Sequence, residues 1–117
     1  MSLSPAYEFA PMRDLNWSPM EKSAARRAFN LALGRELEAV MREAKDRAAR
    51  AKEPSDLWEL EGWLTERRRE IDRKYDYRYS VLPLVFTALL REGRLSEDDL
   101  DGLSADKLNC IRRAASL

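Results

Sequence analysis

A chain of 117 residues is one domain on size, and its 21 Lys and Arg residues cancel its 21 Asp and Glu residues. That balance argues against general nucleic-acid binding, which draws on a basic excess to displace counterions, and the lack of any apolar run of about 18 residues argues against a membrane span. With no histidine, scattered glycines and a single cysteine, Cys110, the sequence offers no Ser-His-Asp or Cys-His machinery, no Cys/His zinc site, no glycine loop for phosphate and no internal disulfide.

Residues 1–16 hold Pro5 and Pro11 and no helical period, so a flexible tail is expected, with Tyr7, Phe9 and the adjoining Trp17 as aromatic groups able to dock. The stretch lacks the basic flank, apolar core and small-residue cleavage site of a signal peptide, and a single cysteine, which cannot make an internal disulfide, fits a reducing cytoplasm. The first helix starts at Ser18-Pro19-Met20-Glu21. Ser18 can accept from the orphan first-turn amides, Glu21 can reach back to it, and Pro19 suits the first helical position. Up to Lys52 only Gly34 interrupts the run, which predicts a helix approaching 35 residues, roughly 50 Å long. Phe29, Leu33, Leu37, Val40, Ala44 and Ala48 are spaced by four or three residues and form one stripe. So long a helix outruns the core of a chain this size. Either its second half frays, or the stripe packs against a second subunit, with Leu33, Leu37, Val40 and Met41 at that interface.

Pro54 is expected to end this helix and Ser55-Asp56 to start the next, with Glu59 at capping-box spacing from Asp56. Leu57, Leu60, Leu64 and Ile71 define its predicted buried side. Gly62 inside it costs about 1 kcal/mol against alanine and suggests a bend or a close backbone neighbour. Ser80 is the expected cap of a third helix running through Leu90, with Pro83 in its first turn and Gly93 at its exit. Two short helices follow: Ser96 with Asp99 and a Leu95–Leu100 staple, then Ser104 with a Leu103–Leu108 staple. No segment alternates like a strand, so the fold class is all-α.

Three groups of residues are candidates for function. Arg67-Arg68-Arg69 fan over about 200° of a helix, so they cannot converge on one ligand. They read as a solvated face partnered by Glu66 and Glu70, with one arginine available to a protein interface. Trp58 and Trp63, about 140° apart, face different ways. Trp58 on the flank is either a core residue or, if exposed, an interface anchor. Tyr75, Tyr77 and Tyr79, among Asp72, Asp76 and Arg78, read as a hydrogen-bonded hinge between the second and third helices. No carboxylate pair stands apart from the surface charge, so no catalytic or metal-binding residue is expected and the protein is not read as an enzyme.

The chain from Trp17 to Leu117 resembles the fluorescence recovery proteins. The resemblance is carried by Asp56-Leu57-Trp58, by Glu70-Ile71-Asp72-x-Lys74-Tyr75-Asp76-x-Arg78-x-Ser80-Val81, by Phe86-Thr87-Ala88-Leu89-Leu90-Arg91-Glu92-Gly93 and by Ala105-Asp106-Lys107. It implies an all-helical homodimer in which residues 17–77 form an antiparallel dimer arm and residues 78–117 a small helical head. It also implies a function without chemistry or cofactor: binding the photoactivated orange carotenoid protein, speeding its return to the resting form and so ending phycobilisome quenching. Trp58 and Arg68 match the docking residues of that family, while Glu61 and Gly62 stand where it carries a histidine and an aspartate. Asp72 continues the same strip; Leu84 and Cys110 replace a head aromatic and a head lysine. Two other readings remain open: an adaptor of the same fold serving another protein in a bacterium without phycobilisomes, and a helical ligand- or nucleic-acid-binding regulator using the arginine-rich second helix.

Overall fold

A computed structural model describes residues 16–117, so the expected tail, with Tyr7 and Phe9, lies outside the described residues except for Asn16. Helices α1 (Pro19–Arg50), α2 (Pro54–Lys74), α3 (Leu82–Arg91) and α4 (Ala105–Ala115) follow one another, with a 3-10 turn at Asp98–Leu100 before α4. Among the described residues there is no strand, only an isolated bridge between Asp101 and Leu103. The all-α expectation holds.

The ends of these helices follow from local chemistry. At α1 the predicted box is complete: the Glu21 amide donates to Ser18 Oγ at 3.1 Å and the Ser18 amide to Glu21 Oε1 at 3.2 Å. The helix spans 32 residues and stops at Arg50, slightly short of the expected Lys52. Asp56 is the reason. Its Oδ2 accepts the amides of Lys52 at 2.8 Å and Glu53 at 3.0 Å, committing them to the next helix. Asp56 therefore sits inside the first turn of α2, which starts at Pro54 rather than after it. Glu53, forced extended by the following proline (φ −113°, ψ 152°), is the flanking residue.

Ser80 does not cap α3. The amides of Val81 and Leu82 both donate to the Arg78 carbonyl at 2.9 Å, so the chain makes a turn there and Val81 flanks the helix. Pro83 does lie in the first turn. Gly93 ends α3 at φ 78°, and the Arg94 and Gly93 amides close onto the Leu89 and Leu90 carbonyls at 2.9 and 3.2 Å, satisfying carbonyls the helix leaves open. The first of the two expected short helices is only the 3-10 turn, although Ser96 and Asp99 exchange the predicted hydrogen bonds. The chain leaves it through Gly102 (φ 107°), where a Cβ would stand 2.7 Å from Ala24 Cβ. Only glycine lets the chain lie that close to α1.

The core gathers at one end of the molecule. Ala24, Ala25, Ala28, Phe29 and Ala32 present a mostly small-residue stripe of α1 to Leu82, Val85, Phe86 and Leu89 of α3 and to Cys110, Ile111 and Ala114 of α4. Leu95, Leu100 and Leu103 close it from the connecting segment. Past Ala32, α1 buries no residue, and α2 buries none along its whole length. The two helices run antiparallel away from the core. The radius of gyration, 17.1 Å, accordingly exceeds the roughly 13 Å of a compact domain of about 100 residues.

Candidate docking surface

The expected buried side of α2 is not buried in the single chain. Leu57 is 54% exposed and Leu64 39%, while Leu60 and Ile71 are half-buried. What α2 turns toward α1 is a narrow, largely polar stripe. Trp63 packs there, with the Arg47 guanidinium 4.6 Å and that of Arg67 5.6 Å from its ring centre. Near the inner end, Lys74 and Tyr75 meet Glu36. Trp63 is thus a structural residue held by cation–π contacts. Trp58 is 72% exposed, which removes it from the core.

Between the helices lies a groove of about 470 Å³ lined by Leu33, Leu37, Val40, Leu64, Arg67, Arg68, Ile71 and Asp72. It joins residues that the sequence analysis assigned to separate roles: Leu33, Leu37 and Val40 to a subunit interface, Arg68 and Asp72 to a docking strip. Met41, 52% exposed, stands one turn past Leu37 on the same exposed side of α1 but outside the lining. Glu61 and Arg68 line an adjoining hollow of about 330 Å³ with Leu57, Leu60, Leu64 and Thr65. Trp58 lies in neither; ten residues before Arg68, it is rotated about 80° from it around the helix. Gly62 shares the Trp58 side and is exposed, and a Cβ built on it would meet nothing within 4 Å. Close approach of another backbone within the chain therefore does not explain Gly62.

Within the arginine triplet the charges are distributed as the spacing predicts. Arg67 pairs with Glu70 at 2.8 Å and Arg69 with Glu66 at 3.3 Å. Arg68, exposed, has no such partner among the described residues. An indole and a guanidinium left to solvent on one helix are of the types enriched at the hot spots of protein interfaces. Leu84 is half-buried and Cys110 lies in the core, 5% exposed.

The tyrosine segment is hydrogen-bonded, but not by the expected Asp72, Asp76 and Arg78: Tyr75 turns to Glu36, Tyr77 to the Lys22 carbonyl, and Asp76 and Arg78 pair with each other. Tyr75 Oη donates to Glu36 Oε1 at 2.8 Å, and Lys74 Nζ donates to Glu36 Oε2 at 2.8 Å and Glu92 Oε1 at 2.7 Å. Phe29 meets Tyr75 and Tyr77 edge-on, the Arg26 guanidinium lies 3.5 Å from the Tyr77 ring centre, and Arg78 forks onto Asp76. Burial pushes the Glu36 carboxyl up, but hydrogen bonds from Lys74 and Tyr75 and the charges of Lys74 and Arg94 bring it below its ordinary value. Nothing in the sequence marks Glu36, which looks like any surface acid on α1.

A second cluster fixes the chain entrance to the core. Glu21 Oε2 accepts from Lys107 Nζ at 2.8 Å and from the Ser104 amide at 3.1 Å, so one carboxylate serves the starts of both α1 and α4. Lys107 also donates to the Asn16 carbonyl and lies 4.8 Å from the Trp17 ring centre. Trp17 in turn packs on Tyr79, at 5.3 Å between centroids. No described helix is long and apolar enough to cross a membrane.

Residues 17–115 match the family described as photoprotection regulator fluorescence recovery protein. The chain is 39% identical over 101 residues to the fluorescence recovery protein of Synechocystis sp., covering 86% of this chain and 93% of that one. Solved structures agree. The Fremyella diplosiphon fluorescence recovery protein superposes with a TM-score of 0.82 at 41% identity, over 87% of this chain and 100% of that one. The Synechocystis sp. PCC 6803 structure gives the same score and coverage at 38% identity. The chain belongs to the fluorescence recovery protein family of photoprotection regulators.

Proposed function

We propose that this protein is a non-enzymatic binding protein that docks on the photoactivated orange carotenoid protein, accelerates its return to the resting form and so ends phycobilisome quenching. The observation that carries this reading is Trp58, an indole 72% exposed on a helix that buries none of its own residues. With Leu57 and Leu64 also exposed on that helix, the apolar surface there is clustered rather than scattered, which is the pattern of an interaction site. Arg68, Glu61, Asp72 and Gly62 complete the docking strip along the same helix.

The working form in this proposal is a homodimer in the cytoplasm, with no cofactor and no nucleic-acid or membrane partner. Residues 17–77 are its arm and residues 78–117 its head, the head borrowing the first turns of α1 for its core. Leu33, Leu37, Val40 and Met41 form the subunit contact. The exposure of Leu37 (47%) beside an apolar groove supports that contact, because burial there stabilises by about 25 cal/mol per Å².

A second reading keeps the fold and changes the partner. It is favoured by Gly62, which brings no side chain to the Trp58 side of α2, where the resemblance leads one to expect a carboxylate. The dark recovery rate of photoactivated orange carotenoid protein, with and without this protein, separates the two. Acceleration is expected. An unchanged rate from a folded protein would transfer the docking strip to a different protein partner.

A further inference from the structure

Several charged groups outside the docking strip meet where α2 ends. Glu36 stands on α1 one turn beyond Ala32, the last core residue of that helix, and its side chain is only 15% exposed. Donors from two other segments converge on it. Lys74 and Tyr75 come from the end of α2, at 2.7 and 2.8 Å, and Arg94, at 3.8 Å, from the turn after α3. Lys74 also reaches Glu92 of that turn at 2.7 Å. Arg67 and Glu70 of α2, paired with each other, line the same hollow as Glu36 and Arg94.

This arrangement matters because, apart from Trp63 against Arg47 farther out along the pair, α2 has little else to orient it. It buries no residue, so apolar packing does not fix its rotation or its distance from α1. A half-buried charged hydrogen-bond network is directional and rigid where apolar contact is not. Arg68 and Asp72 lie within two turns upstream of Lys74 on the same helix.

We propose that Glu36 is a positioning residue: by clamping the last turn of α2 to α1 and to the turn after α3, it holds Arg68 and Asp72 at the mouth of the groove in the orientation a partner meets. The inference rests on the docking reading for its functional half and on geometry alone for the clamp. Removing the Glu36 charge leaves Lys74 with Glu92, whose side chain is 43% exposed and sits on the turn, so the last turn of α2 loses its charged tie to α1. The Lys74 ammonium is itself partly desolvated, which disfavours its charge, and the bonds to Glu36 and Glu92 more than reverse this.

Glu36→Gln tests the clamp, because it keeps the shape and an acceptor for Tyr75 while removing the charge. Amide hydrogen exchange on the full chain should rise about tenfold over residues 69–75, with the core segments of α3 and α4 unchanged. In the recovery assay, the concentration giving half-maximal acceleration should rise about tenfold while the saturating rate is kept. Glu92→Gln, which spares the bond from Lys74 to Glu36, should move neither readout. Unchanged exchange over residues 69–75 would overturn the clamp, as would an equal rise in α3 and α4 or an equal effect of Glu92→Gln. Faster exchange with an unshifted half-maximal concentration would overturn the positioning role. If the unsubstituted protein leaves carotenoid-protein recovery unchanged, the docking reading fails by itself, and the exchange pattern still decides the clamp.

Discussion

Two residues show how differently a side chain can matter in this protein. Trp58 touches little of its own chain, so Trp58→Ala should change unfolding stability by no more than about 0.5 kcal/mol. Partner binding should fall by about 2 kcal/mol or more, the loss typical of an interface anchor. Circular dichroism melts paired with binding titrations check this; a large drop in stability would return Trp58 to a structural role. Glu21 is the opposite case. It is 8% exposed, and burial pushes its carboxyl up, but hydrogen bonds from Lys107 and from the Ser18 and Ser104 amides, with the Lys107 charge, lower it from 4.5 to about 2. A carboxyl lowered on folding stabilises fully above its unfolded value and loses that contribution as pH falls through the folded one. The Glu21 contribution is therefore complete above pH 4.5 and lost toward about 2. Glu21→Gln strands the Lys107 ammonium and should cost about 3 kcal/mol at neutral pH, while flattening the acid limb of the stability curve. Denaturant titrations over a pH series measure both. The sequence showed Glu21 only as a helix-capping acid, because Ser104 and Lys107 lie far along the chain and nothing local pairs them with it.

At the scale of the element, capping chemistry was legible and the burial of α2 was not. Ser18, Glu21, Pro83, Gly93 and Ser104 all act at helix ends as their types and spacings predict, since a cap involves residues three or four apart. Ser80 lost its place to a competitor, the Arg78 carbonyl, which captured the amides at the start of α3; Asp56 took the Lys52 and Glu53 amides from within the first turn of α2 instead of capping from outside. The leucines of α2 have the period of a buried face, yet amphipathicity marks a face that needs a partner without saying which molecule supplies it. Gly62 gives an element-scale prediction. A methyl group there meets nothing within 4 Å, so Gly62→Ala should stabilise α2 by about 0.5–1 kcal/mol, read as a higher denaturation midpoint. A loss of stability would mean that a second molecule approaches the helix at this position.

At the scale of the whole molecule, the core is confined to one end and the two-helix extension has almost no burial, which is the ground for the proposed subunit contact. Leu37→Glu places a charge beside the apolar groove and should shift sedimentation from dimer to monomer with the core helices still folded; an unchanged coefficient would remove α1 from the proposed subunit contact. The balanced charge gives the companion expectation that DNA binding with a steep salt dependence is absent at physiological ionic strength. By itself the sequence determined the helices, most of their caps and the family, because each is written in residues close along the chain or in contiguous motifs. Tertiary structure alone decided three things: that Arg68 and Asp72 share one groove with Leu33, Leu37 and Val40, that Trp58 is bare while Trp63 is held between helices, and that Glu36 and Glu21 each tie together segments far apart in the chain. The physical reason is common to all three. They depend on which faces of separate helices meet, and periodicity fixes a face on its own helix but not the face it will find opposite.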